Sequence, residues 1–197
     1  YLYDTGSTDS TINIASEWGE THKIPVFIKQ IEGEWDRNFA RQRNILLQWI
    51  DDEFTGDFIL MLDANDEVQN QRAIREWLKK EFNDNTSTTS YLVHQRWVQG
   101  NTMDYWNVRV IKPKCGWRYK RRVHEVIVKD DGSVHCDYNH GKLPEDVIWY
   151  QDRTAENVTR HDDDIEALLE DYVDDPSDSR TLFYLAQTCG CLGNMQD

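Results

Sequence analysis

Apolar residues fall into short blocks along this chain, and the spacing inside each block predicts its element. Phe58-Ile59-Leu60-Met61-Leu62 is an unbroken run, entered from Thr55-Gly56-Asp57 and left through Asp63-Ala64-Asn65-Asp66-Glu67. Such a run predicts a strand buried on both faces, the kind found in parallel sheets. Tyr1-Leu2-Tyr3 reads as the end of an earlier strand entering a turn, so a preceding strand and helix are expected ahead of Tyr1. Ile12, Ile14, Ala15 and Trp18 follow at near-helical spacing, with Ser7, Thr8 or Asp9 as the N-cap. Residues 23–31 carry Ile24, Val26, Phe27, Ile28 and Ile31 and predict a second strand.

Residues 35–50 place Phe39, Ala40, Arg43, Leu46, Leu47 and Ile50 at intervals of three and four, which predicts an amphipathic helix. Ile74, Trp77, Leu78 and Phe82 predict another over 71–82, and 83–89 is a polar loop. Residues 91–94 and 108–111 read as two strands, joined by a polar loop that carries Trp97, Gly100, Asn101, Tyr105 and Trp106. A strand over 126–128 leads to a hairpin turn at Asp130-Asp131-Gly132-Ser133 and a return strand over 134–138. Residues 143–153 read as irregular. Two helices close the chain, one with Ile165, Leu168, Leu169 and Tyr172 and one over 180–192, where a further partner helix is expected. Alternating strands and helices predict an α/β fold with a mixed, mostly parallel sheet flanked by helices and a short C-terminal helical appendage.

Composition narrows the function classes. With 197 residues, 39% of them apolar, and four prolines, the chain is long enough for one domain with an appendage and a substantial core. A net charge of −14 argues against nucleic acid as partner, because phosphate binding draws on a positive field. No stretch approaches the about 18 apolar residues of a membrane helix, and no secretory apolar region opens the sequence. Cys115, Cys136, Cys189 and Cys191 lack CxxC spacing, so reduced thiols and a cytoplasmic setting are expected. Asn85-Thr86-Ser87 and Asn157-Val158-Thr159 fit the glycosylation pattern, which is short enough to recur by chance.

The candidate chemistry lies where polar residues gather at the ends of these elements. Ligands of open α/β sheets sit outside the carboxyl ends of the strands, so Asp63, Asn65 and Asp66 are expected in a crevice. Their oxygens suit a hard cation, Mg²⁺ or Mn²⁺, and through it a diphosphate; the plainer reading is a solvated turn that caps the next helix. An EF-hand does not fit, since Val68 stands where that loop needs glycine. Asp4-Thr5-Gly6-Ser7-Thr8-Asp9 offers backbone N–H groups at a helix start, a place for an anion or a nucleotide. Arg37, Arg41 and Arg43 could pair with the Asp63 cluster, reach a pyrophosphate, or make ordinary helix pairs. Arg118, Lys120, Arg121 and Arg122 run into His124-Glu125, denser than a solvated face explains. His124 and His140, at strand ends, suit either metal ligation or hydrogen bonding. Trp97, Tyr105 and Trp106 suit either a sugar platform or the core.

Several of these pieces, in this order, resemble the family 2 glycosyltransferases of GT-A fold, in the branch with C-terminal tetratricopeptide-like helices. Asp4-Thr5-Gly6-Ser7-Thr8-Asp9-Ser10-Thr11 looks like that family's nucleotide turn, and Asn38-Phe39-Ala40-Arg41-Gln42-Arg43-Asn44 like its helix with an Arg-Asn pair. Residues 58–67 resemble its metal-binding strand end, and Val123-His124-Glu125 its late acid. The stretch 175–187 looks like the start of a helical repeat. The resemblance implies a GT-A domain over 1–145, a linker over 146–160 and a helical pair over 161–197.

It also implies roles. Asp4, Gly6, Ser7, Arg43, Asp63, Ala64 and Asn65 would bind a nucleotide-sugar, with a UDP-sugar expected, and Asp63, Asn65, Asp66 and His140 would hold Mn²⁺ or Mg²⁺. Asn65 stands where the second Asp of the DxD motif is usual, and a neutral carbonyl binds a cation more weakly than a carboxylate. Glu125 would be the catalytic base, with Trp106, Trp117 and His124 towards the acceptor. The activity implied is transfer of a sugar to a hydroxyl of a glycan, a protein or a small molecule. A single displacement inverts the anomeric centre, with Glu125 taking the acceptor's proton and cations stabilising the leaving diphosphate. The rival readings are a nucleotidyltransferase on a similar fold and a non-catalytic binding or scaffold module making protein contacts through its C-terminal helices.

Overall fold

The computed structural model describes residues 1–31, 35–84, 86–99, 101–129, 139–152 and 161–193. The chain folds as two compact units, one of Tyr1–Glu53, Arg118–Val126 and Arg160–Asp197, the other of Phe54–Trp117 and Ile127–Thr159. The five helices among the described residues, together with mixed strand pairing, make the protein α/β.

In the first unit, β1 (Leu2–Asp4) and β2 (Ile28–Gln30) pair in parallel, Leu2 against Ile28 and Asp4 against Gln30, and α1 (Thr11–His22) connects them. The second strand is shorter than the apolar pattern predicts because the end of α1 takes up its first residues. Lys23 is left-handed at φ 55°, and the N–H of Ile24 donates back to Gly19 O at 3.0 Å. Gly19 itself is required, since a Cβ there would stand 2.5 Å from a Val26 methyl. The next helix, α2 (Phe39–Glu53), starts four residues later than its periodicity suggests. Arg37 is left-handed, at φ 55°, and the Asn38 side chain caps the helix by accepting the Arg41 N–H at 2.8 Å. Ala40, Leu47, Trp49 and Ile50 of α2 are buried. The chain ends in α4 (His161–Asp174) and α5 (Ser179–Gly193), whose Ala167, Leu168, Tyr184 and Leu185 close a small core around Val123.

The second unit holds a six-stranded sheet of order β3-β6-β5-β10-β4, with β9 also on β5. Its centre is the pair β5 (Ser90–Gln99) and β6 (Asn101–Ile111), antiparallel from Ser90–Ile111 to Gln99–Asn101. Trp97, Tyr105 and Trp106, expected in a polar loop, belong to this ladder. The sheet is mostly antiparallel, contrary to the expectation of a mostly parallel one. β3 (Ile59–Leu60) pairs antiparallel with β6, and β4 (Glu67–Gln69) antiparallel with β10 (Ile148–Asp152). Only β10 and β9 (Gly141–Lys142) lie parallel to β5. The run is covered on both faces only over residues 58–61: Phe58 and Leu60 pack on the core cluster and Ile59 and Met61 are each 8% exposed, while Leu62 is 52% exposed. An apolar run reports coverage and not the direction of its neighbour, and this one forms the edge of the sheet.

α3 (Gln71–Asn83) packs on the sheet through Ile74, in a core with Tyr91, Val93, Val110, Leu143, Val147 and Trp149. Residues 148–152, expected within a linker, form β10 in the interior of the sheet. Their alternation is hidden because one of the two inward positions is Gln151. The chain passes between the units at β7 (Trp117–Lys120) and β8 (Val126–Lys129). The hairpin expected over 130–138 lies outside the described residues.

Candidate functional site

The candidate residues of the first unit start from Asp4, the last residue of β1. It is 5% exposed, and its Oδ2 accepts the N–H groups of Gly6 at 3.2 Å and Ser7 at 3.0 Å. Gly6, at φ 102°, lets the chain turn this tightly. The hydrogen bonds, first that from the Ser7 side chain, hold the Asp4 carboxyl below its usual range despite burial. The result is an ionised acceptor at the carboxyl end of a parallel strand. Asp9 tightens the turn further, with its Oδ1 accepting the Thr11 N–H at 3.0 Å and hydroxyl at 2.5 Å.

Arg43 and Glu125, 82 residues apart in sequence, meet with Nε 2.9 Å from Oε1; their side chains are 24% and 20% exposed. The Arg43 guanidinium also lies 5.3 Å from the centre of the Tyr119 ring. The neighbouring Asn44 is engaged on both sides, donating to Tyr119 O at 2.8 Å and accepting its N–H at 2.7 Å. In this way α2 fixes the backbone of the segment that carries the basic run.

The basic run itself is largely structural. Arg118 reaches Asp51 at 2.9 Å, Arg121 forks onto Asp178 at 2.5 and 2.6 Å, and Arg122 joins Asp171 and Asp174 at 2.7 Å each. Arg37 pairs with Asp163 and Glu166, and Arg41 with Asp36. Sequence reasoning offered Arg37 and Arg41 the Asp63 cluster, a pyrophosphate or ordinary helix pairs, and did not point to the acids of the 161–178 stretch, although in a chain this acidic they were the signal. A groove of about 640 Å³ runs along α2 and this segment, with Arg41, Asn44, Tyr119, Lys120 and Asp174 among its walls. Asp4, Arg43 and Glu125 are not part of its lining.

The Arg121 fork holds the Asp178 carboxyl well below the ordinary range. Because that pKa is depressed on folding, the stabilisation is fully present above about pH 4 and fades as the pH falls towards the folded value. Urea midpoints measured from pH 6 down to pH 2 are therefore expected to fall less steeply in Asp178→Asn than in the wild type. Equal slopes would show that the pair contributes no acid sensitivity.

In the second unit, the turn after β3 closes on itself. The Asp63 N–H donates to Asp66 Oδ2 at 2.8 Å, and the Asp66 N–H to Asp63 O at 3.0 Å. The Asp66 side chain is fully buried, and its Oδ1 accepts from Gln151 Nε2 at 2.5 Å. Arg109, 8% exposed, sets its Nη2 3.1 Å from Asp63 Oδ2 and its Nη1 4.0 Å from Asp66 Oδ2. The Gln95 amide accepts from Arg109 in either orientation of the amide. Sequence reasoning missed Arg109, though a lone cation amid Val108, Val110 and Ile111 in a strand was the available clue.

Asp63, Ala64 and Asn65 remain at the surface of this turn, whereas Asp66 faces inward. Of the expected metal ligands, Asp63 is paired with Arg109 and Asn65 Oδ1 accepts from Gln151 Nε2 at 3.4 Å. Among the described residues, no three His, Cys, Asp or Glu side chains gather as a metal site. His140 bonds through Nδ1 to Ser90 Oγ at 2.6 Å. Trp117 is 2% exposed and packs within the core, with Nε1 donating to Thr89 Oγ1 at 3.3 Å. Trp106 lies between the His94 ring at 5.5 Å and Lys142 Nζ at 4.4 Å. In the first unit, His124 stacks on Tyr184 with ring centres 3.9 Å apart and planes 3° from parallel. Burial pushes the His124 pKa down, so the ring is neutral near pH 7. No family model matches this chain, and no curated protein matches it in sequence.

Proposed function

We propose that this protein transfers a sugar from a nucleotide-sugar, a UDP-sugar, to an acceptor hydroxyl on a GT-A type scaffold. The reading rests above all on Asp4, an ionised and buried carboxylate at the carboxyl end of a parallel strand in a β-α-β unit. Such strand ends are where nucleotides bind in open α/β sheets, and a carboxylate there accepts the N–H of a base or a ribose hydroxyl. Gly6 and Ser7 line the same turn, and Arg43 is the cation for the phosphate side. Glu125, whose Oε1 lies 2.9 Å from Arg43 Nε, is the group that takes the acceptor's proton, and direct displacement inverts the sugar. In the second unit, Asp63 and Asn65 would hold a divalent ion, Mn²⁺ or Mg²⁺, a cation of the kind that neutralises a leaving diphosphate. The scaffold alternative draws support from Asp66, whose carboxylate is committed to the turn.

A thermal-shift series tests the reading. UDP at 100 times its Kd stabilises by about 2.7 kcal/mol if it binds only the folded protein, which raises the Tm by several degrees. The shift is expected with UDP, greater with Mn²⁺ present, absent with ATP, and lost in Asp4→Ala. No shift with any nucleotide would leave the scaffold reading. A UDP shift indifferent to Mn²⁺ would keep the nucleotide and remove the metal.

A further inference from the structure

The segment 121–125 is held from two sides: α2 reaches it through the Phe39 N–H on Arg122 O at 2.9 Å and through Arg43 on Glu125, and the C-terminal helices hold the four residues before Glu125. Arg121 forks onto Asp178 at the start of α5. The Arg122 N–H donates to Asp171 Oδ2 of α4 at 2.9 Å while its guanidinium grips Asp171 and Asp174. Val123, 5% exposed, is seated among Ala167 and Leu168 of α4 and Tyr184 and Leu185 of α5. The ring of His124 lies flat on Tyr184, and its carbonyl accepts from Arg180 Nε at 3.3 Å. Two of these residues, Arg121 at φ 77° and His124 at φ 49°, are left-handed. Side chains adopt that conformation at a cost, and it persists only where the surroundings over-determine it. Four consecutive residues are each tied to α4 or α5, and the fifth is Glu125.

From this geometry we propose that the α4–α5 pair positions Glu125, with Asp178, Asp171 and Tyr184 as positioning residues that hold the left-handed Arg121 and His124 in place before it and so present its carboxylate to Arg43. The inference rests on the reading of Glu125 as the base. It gives the helical pair a task inside the reaction, beside any contact with other proteins. A general base works only within hydrogen-bond reach of its proton, and a displacement of about 1 Å costs up to about 10²-fold in rate. Loosening the segment should therefore slow the chemical step and leave donor binding alone.

The test uses the full chain with Asp178→Asn and Tyr184→Ala, and with Tyr184→Phe as the conservative control. Asparagine still caps α5, so Asp178→Asn removes the fork and not the helix start. UDP release from a panel of UDP-hexoses and amide hydrogen exchange over residues 118–126 are measured on each. In Asp178→Asn and Tyr184→Ala, kcat is expected to fall about tenfold with the donor KM within about twofold, and exchange at 121–125 to speed up about tenfold. Exchange in α1 and β1 should be unchanged, and Tyr184→Phe should behave as the wild type. Unaltered exchange at 121–125, or a KM that rises while kcat holds, would overturn the proposal. If Asp178→Asn does not fold, Tyr184→Ala is read alone. If the wild type releases no UDP, the transferase reading fails, and the exchange measurement still decides whether the helices hold the segment.

Discussion

Arg109→Met is expected to destabilise the protein by about 3–5 kcal/mol, the usual consequence of removing one partner from a buried ion pair. Arg109 is the guanidinium beside both acids of the turn after β3, and the Asp66 side chain has no exposure to water. Methionine fills much of the same volume, so the loss would come from the charge and not from a cavity. Asp66 would be left to the hydrogen bonds from Gln151 and from the Asp63 N–H, which solvate a buried carboxylate less well than an adjacent cation does. Urea unfolding at pH 7 measures the effect. Adding Asp66→Asn to the variant should recover a good part of it, because an amide keeps the hydrogen-bonding shape without the charge. A loss under about 1 kcal/mol, the scale of a surface pair, would mean that water reaches this turn.

Glu125→Gln is expected to lower sugar transfer by about 10²-fold or more while UDP binding stays within about twofold, the scale on which a general base contributes. Glutamine keeps the length of the side chain, and its carbonyl can still accept from Arg43 Nε, so the segment should stay in place. What it lacks is a carboxylate to receive the acceptor's proton. Turnover assays beside isothermal titration with UDP separate the two effects. Undiminished turnover would remove Glu125 from the mechanism and reduce its ion pair with Arg43 to a structural link between α2 and the basic run.

What could be read from the sequence follows the physics of each element. α3, α4 and α5 were legible as helices because their apolar residues recur with a 3.6-residue period, but the period misassigned part of the inward face, since Leu169 and Tyr172 of α4 and Leu182 of α5 are exposed. The start of α2 was not legible, since the Arg37 turn and the Asn38 cap interrupt a periodicity that continues in the residue types. β10 was hidden by Gln151, a buried amide whose place depends on Asp66 and Asn65, some 85 residues away. The direction of the sheet was misjudged because the run 58–62 signals coverage alone. Among the candidate residues, Asp4 and its turn were visible as a local pattern, with Gly6 and Ser7 bonding it from within three residues, though not the bond from Gln30 of β2. Arg43 and Glu125 were each singled out, but their pairing spans 82 residues, and no local pattern encodes it. The same holds for Arg109, which local spacing could not join to Asp63 across 46 residues.

The first unit is assembled from three separated stretches, Tyr1–Glu53, Arg118–Val126 and Arg160–Asp197, with the whole of the second threaded between them. On the ribosome, Tyr1–Glu53 must therefore wait, unfinished, while more than a hundred residues emerge before α4 and α5 arrive to complete its fold. Nascent chains should stay sensitive to protease in the 118–126 stretch until translation has passed α5, and a chain truncated before α4 should never acquire that resistance.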